Sequence, residues 1–176
     1  YFQTANPNTL YSSILLRTLL DSRYYYGVRV EAALGIAKFA KEKSNWIGIK
    51  HLLTAFKRLF CFENSTIPVP NDFSDFASYF LKKAISEALS TIRDQNSDCP
   101  IAIKRFLLDM LKFNDNLNNP YSDSFYVGHL ITCLVNSICA NVLNDSVSKL
   151  NDVDKDFLVD AIAEISRHQK MDEWIP

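Results

Sequence analysis

A chain of 176 residues, 48% hydrophobic and 22% charged with a net charge of −1, has enough apolar side chain for one packed domain. Its net charge is too small to attract nucleic acid by bulk electrostatics. No apolar run approaches the roughly 20 residues that span a bilayer as a helix. The six prolines all fall outside stretches of helical periodicity, as expected for a residue that lacks an amide donor and clashes in helix interiors. The chain therefore reads as all-α.

Thr9–Ser22 is the first expected helix, with Leu10, Ile14, Leu15, Thr18 and Leu19 in a stripe and Asn8 or Thr9 as its cap. Tyr24–Ala40 follows after a short turn. Its face of Tyr26, Val30, Ala33, Ala37 and Ala40 is narrow and largely small, while Arg29, Glu31 and Lys38 lie off it. Gly35 costs such a helix roughly 0.5–1 kcal/mol against alanine, which implies a close neighbour. Trp46–Phe62 is the third helix, burying Trp46, Ile49, Leu53, Phe56, Leu59 and Phe60. After a loop with two prolines, Asp72–Arg93 carries Phe73, Phe76, Phe80, Ala84, Ala88 and Ile92 in register. Pro100–Phe113 is a fifth helix with Ile103, Phe106, Leu107 and Met110 inward, and proline suits its first turn. Ser122 or Asp123 caps a sixth, which runs to about Leu143 with Tyr126, Leu130, Cys133, Leu134 and Ile138 buried. Asp156–Lys170 is the last, with Phe157, Ile162 and Ile165 inward.

The second helix of each pair carries Tyr26, Tyr79 or Tyr126, a loose period near fifty residues. Helix pairs at roughly 9–40, 46–93 and 100–143, with a final helix at 155–170, predict a HEAT/armadillo-like α-solenoid of about seven helices. This would be a single helical-repeat domain, a piece of a larger chain. Residues 24–26 with Arg23 and Arg29 offer stacking groups. Tyr24, Tyr25, Arg29, Asn114, Asp115, Asn116, Ser122 and Asp123 are the candidate partner-facing residues. Residues 1–61 hold nine basic and three acidic residues, and the remainder ten and seventeen. Lys41, Lys43, Lys50, Lys57 and Arg58 make a candidate basic patch, and solvated helix faces explain the same residues.

Catalytic signatures do not appear. His51, His129 and His168 form no HExxH pair. The run Asn114–Asn119 lacks the glycine and glutamate that a calcium loop needs at its sixth and twelfth positions, so a loop of locally bonded Asx side chains is expected instead. Cys61, Cys99, Cys133 and Cys139 show no metal spacing and are expected to be reduced. No catalytic, metal-binding or cofactor-binding residues are predicted. The start shows no signal-peptide pattern, so the sequons at Asn64 and Asn144 are expected to stay unmodified. Tyr1-Phe2-Gln3 reads equally as native sequence or a tag remnant.

Four stretches, in order, resemble one family. They are Tyr25-Tyr26-Gly27-Val28-Arg29; Leu59-Phe60-Cys61 after Trp46; Asn71-Asp72-Phe73-Ser74-Asp75-Phe76 through Lys83; and Lys112-Phe113-Asn114-Asp115-Asn116 continuing to Tyr121-Ser122-Asp123-Ser124-Phe125-Tyr126. The family is the aminopeptidase-like TBP-associated factors of the general transcription factor TFIID. The resemblance spans roughly residues 10–143 and implies part of the family's C-terminal helical domain. It further implies a nuclear, non-catalytic scaffold that assembles with other TBP-associated factors and supports recognition of core-promoter DNA around the initiator, with no cofactor, membrane or small-molecule substrate. The alternative expectation is the C-terminal helical domain of an active zinc aminopeptidase.

Overall fold

The computed structural model describes residues 9–40, 46–142 and 152–172. They form seven helices: α1 (Thr9–Leu20), α2 (Tyr26–Lys38), α3 (Ile47–Phe60), α4 (Phe76–Ser90), α5 (Ile101–Lys112), α6 (Ser124–Val142) and α7 (Asp152–Asp172). Every expected helix is present, and most are shorter than the periodicity suggested. The reasons are local. Tyr25 takes extended backbone (φ −54°, ψ 137°), so α2 starts two residues later than expected, at Tyr26. Trp46 sits in the left-handed region at φ 57° and cannot belong to α3. Asp75 caps α4 by accepting from the Ser78 amide at 3.0 Å, which moves the start from Asp72 to Phe76. The carbonyls of Pro100 and Asp123 accept the first amides of α5 and α6, so each residue stands just before its helix.

The helices stack in two layers. α2, α4 and α6 pack side by side as an inner row, α4 between the other two. α1, α3, α5 and α7 lie outside, with α1 against α2 and α3, and α5 against α6 and α7. This is the solenoid arrangement. The core follows the inner row and includes Leu52, Phe56, Leu81, Ile85, Leu89, Leu107 and Leu130, all fully buried. Two glycines set the closest approaches. A Cβ on Gly35 would stand 3.1 Å from Leu15 Cδ1, which is the close neighbour that Gly35 implied. One on Gly48 would stand 2.7 Å from the Ile36 carbonyl oxygen and 2.8 Å from Ala40 Cβ, where α3 crosses α2.

Several expected faces are rotated or trimmed. The buried face of α2 is Arg29, Ala32, Ala33 and Ile36, continued by Phe39 and Ala40. It shares only Ala33 and Ala40 with the expected set. Leu10 and Ile14 on α1 are exposed, and burial there falls on Ser12, Leu15 and Leu19. On α7, Ile162 is exposed while Phe157, Ala161 and Glu164 point inward. Phe76 and Phe80 are also exposed, because they head a stripe completed by Lys83, Glu87 and Thr91. Tyr79, Lys82, Ser86 and Leu89 take the inward positions of α4 instead. Asn8, the first three residues and the sequon at Asn144 lie outside the described residues.

Candidate interaction surfaces

The tyrosines of the three inner helices belong to one aromatic row. Ring centroids lie 4.6 Å apart for Tyr25–Tyr26, 6.1 Å for Tyr26–Phe80, 5.6 Å for Phe80–Tyr79 and 6.1 Å for Tyr79–Tyr126, with Phe76 joining at 6.3 Å from Phe80. Such pairs each contribute about 0.5–1.5 kcal/mol beyond simple burial. The row begins in solvent and ends in the core. Tyr25 is 68% exposed, Phe76 58% and Phe80 45%, whereas Tyr126 is fully buried. Tyr24 and Val28 extend the exposed end, giving an apolar ledge at the start of α2 and α4.

The charges around this ledge differ from the expectation. Arg29, expected to face a partner, is only 8% exposed. Its Nε donates to the carbonyl oxygen of Leu19 at 2.9 Å, and desolvation pulls its pKa down. Arg23 is tied to Asp21, Nη2 to Oδ2 at 2.7 Å, and these bonds hold the Asp21 carboxyl down to about 2. Asp72 and Asp75 precede Phe76 on the loop before α4, both exposed. Hydrogen bonds from Ser74 and Ser78 respectively hold their carboxyls below the usual range.

The second candidate surface is the loop between α5 and α6. Asn114 Nδ2 donates to Asp123 Oδ2 at 2.6 Å, Asp115 Oδ1 accepts from the Leu117 amide at 2.9 Å, and Asn116 Nδ2 donates to the Tyr121 carbonyl at 2.8 Å. Ser122 Oγ lies 2.6 Å from Ser124 Oγ. The loop is thus knitted internally, as its Asx-rich sequence suggested. Asn119 Nδ2 reaches out to the Asn71 carbonyl at 2.6 Å. Behind it lies a buried cation that the sequence did not signal. Lys82, 3% exposed, donates through Nζ to the Val69 carbonyl at 2.8 Å and Asn71 Oδ1 at 3.1 Å, 4.8 Å from the centre of the Tyr126 ring. Its pKa is lowered to about 8 by burial.

A groove of about 1120 Å³ separates this loop from the end of α7, lined in part by Phe113, Leu117, Tyr121, Arg167 and Met171. Lys112 pairs with Asp160 and Arg167 with Glu164, and Asp115, Asp123 and Lys170 also line it, so charges of both signs border the groove. Of the candidate basic patch, Lys50, Lys57 and Arg58 are exposed on α3, with Lys50 and Lys57 on one face at i, i+7. Lys41 and Lys43 lie outside the described residues.

The three histidines serve packing contacts. His51 Nδ1 meets Ser12 Oγ at 2.8 Å, joining α3 to α1. His129 Nε2 meets the Lys83 carbonyl at 3.0 Å, and His168 Nε2 the Leu111 carbonyl at 3.3 Å. Cys133 Sγ stands 3.5 Å from His129 Nε2, but burial pushes its thiol up to about 11, so no thiolate forms there at neutral pH. Among the described residues, no group of three or more His, Cys, Asp or Glu is placed to hold a metal ion.

Comparison with known proteins places this chain in a family. The profile described as "TAF2-like, TPR repeats" matches residues 3–176. The chain is similar to proteins named Transcription initiation factor TFIID subunit 2. It is 40% identical over 165 residues to that of Schizosaccharomyces pombe, covering 94% of this chain and 14% of the relative. It is 35% identical over 166 residues to that of Saccharomyces cerevisiae, covering 94% and 11%. For Gallus gallus the identity is 34% over 169 residues, covering 94% and 14%. The chain thus spans about one-seventh or less of the length of these relatives.

Proposed function

This chain belongs to the TAF2-like, TPR-repeat family, and from that premise we propose that it is a non-catalytic scaffold module of the general transcription factor TFIID. In this reading it acts in the nucleus, docks other TBP-associated factors, and supports recognition of the core promoter around the initiator for transcription by RNA polymerase II. Promoter contact is made through the assembled complex rather than by an enzymatic step. TPR and HEAT/armadillo arrays share the same physical plan, stacked helix pairs that present an extended binding face.

The observation that carries the reading is the similarity to proteins named as a TFIID subunit along nearly the whole chain. The test is deletion of the region equivalent to residues 9–172 from the intact subunit. The expected result is loss of at least one other subunit from the purified complex and weaker retention on initiator-containing DNA. Unchanged composition and unchanged promoter retention would overturn it.

A further inference from the structure

We propose, resting on the scaffold reading, that the ledge formed by Tyr24, Tyr25, Phe76 and Phe80 docks a protein segment presenting arginine or lysine among apolar residues. The ledge has what such a segment needs and little that would repel it. The rings of Tyr25, Tyr26, Phe80 and Phe76 follow one another in contact, with the exposed Tyr24 beside them in the chain, and their exposed faces carry the negative quadrupole that attracts a guanidinium or ammonium group. Exposed contiguous apolar surface of this kind marks an interaction site, and aromatic and arginine side chains are enriched where proteins meet.

Charge decides the partner. Asp75 stands immediately before Phe76 and Asp72 three residues earlier, both exposed and held ionised by hydrogen bonds from Ser78 and Ser74. Glu31 is exposed one turn along α2 from Val28. The neighbouring cations already have partners: Arg23 pairs with Asp21, Arg29 is buried against the Leu19 carbonyl, and Lys83 lies over the Tyr79 ring at 5.6 Å. A phosphate backbone brought to this ledge meets the exposed carboxylates of Asp72, Asp75 and Glu31, with the exposed Arg23 already paired to Asp21. A basic protein segment meets carboxylates and ring faces together.

The experiment uses the full-length subunit in its assembled complex, with the photo-crosslinker p-benzoylphenylalanine in place of the exposed Tyr25. Crosslinked peptides are then mapped by mass spectrometry. The expected product joins Tyr25 to a segment of another subunit with arginine or lysine within a few residues of apolar side chains. Asp72→Asn with Asp75→Asn keeps the turn and cap acceptors while removing both charges, and should lower the yield roughly three- to tenfold. Reversing the mapped basic residue to glutamate should lower it likewise. Crosslinks to DNA, to this chain or a second copy, or to an acidic or uncharged segment overturn the proposal. So does the absence of any crosslink, or a yield indifferent to the double variant. If the ledge test fails while deletion of the whole region still strips the complex, only the docking assignment falls. If deletion has no effect, the scaffold reading falls with it.

Discussion

Arg29 on α2 donates from Nε to the carbonyl oxygen of Leu19, in the last turn of α1, at 2.9 Å. That carbonyl is among the four that an α-helix leaves without an internal partner, and a buried cation at a helix C-terminus also meets the negative end of the helix dipole. One side chain therefore closes α1 and fastens it to the inner row. Arg29→Met should destabilise the chain by about 1–3 kcal/mol, read as a lowered urea midpoint. Replacing the exposed Glu31 by alanine should change it by less than about 0.5 kcal/mol. Equal effects would mean that the hydrogen bond contributes nothing.

Two glycines on helices should respond to alanine with opposite signs. At Gly48 the added Cβ meets the Ile36 carbonyl and Ala40, backbone and short side chain that cannot swing away. Gly48→Ala should therefore cost about 1–3 kcal/mol through overpacking. At Gly128 nothing lies within 4 Å of the added atom, so Gly128→Ala should stabilise α6 by about 0.5–1 kcal/mol. Ala33→Leu, at a fully buried site, should cost about 1–3 kcal/mol, and Lys38→Ala should be near neutral. Thermal unfolding of the four variants checks the set.

Lys82 gives the chain a stability that rises in alkali. Burial lowers its pKa from the ordinary 10.5 to about 8, so between those values the unfolded chain binds a proton that the folded chain does not. Stability contributed by this group therefore increases as pH climbs from 8 to 10.5, and is flat outside that window. Tyrosine and cysteine groups titrate in the same range, so the comparison must be with Lys82→Met. The difference in unfolding free energy between the native chain and this variant should shift in favour of the native chain by up to about 3 kcal/mol across the window. A parallel pair of pH profiles would refute it.

Thiol reactivity should sort by burial. Cys139 is exposed and Cys61 half-buried, while Cys99 and Cys133 are buried with thiols pushed up to about 11. Because the thiolate is the reactive form, iodoacetamide at pH 8 should label Cys139 first and Cys61 more slowly. Cys99 and Cys133 should react only after unfolding, as followed by intact and peptide mass spectrometry. Early labelling of Cys133 would contradict the packing of α6 against α4.

The helices were legible because period 3.6 and the placement of proline report directly on backbone. Burial of individual side chains was less so. Phe76 and Phe80 invited an inward reading by their size, yet they share a stripe with Lys83 and Glu87, and the company on the stripe decides. The same reasoning accounts for Lys82, which travels with Tyr79, Ser86 and Leu89, and for Arg29, which travels with Ala32, Ala33 and Ile36. What no local pattern shows is where a buried cation finds acceptors. Lys82 takes them from Val69 and Asn71, outside its own helix. In the α5–α6 loop the Asx bonds were readable, because they close over two to nine residues. The tie from Asn119 to Asn71, 48 residues away, was not.

α4 lies between α2 and α6 and also touches α3 and α5. Flexing the first helix pair against the third would have to prise α4 from one of its flanking helices, and with it the rings of Tyr26 and Phe80 or of Tyr79 and Tyr126. Close-packed interiors resist such deformation. α4 is therefore the element through which a displacement of the first helix pair reaches the third.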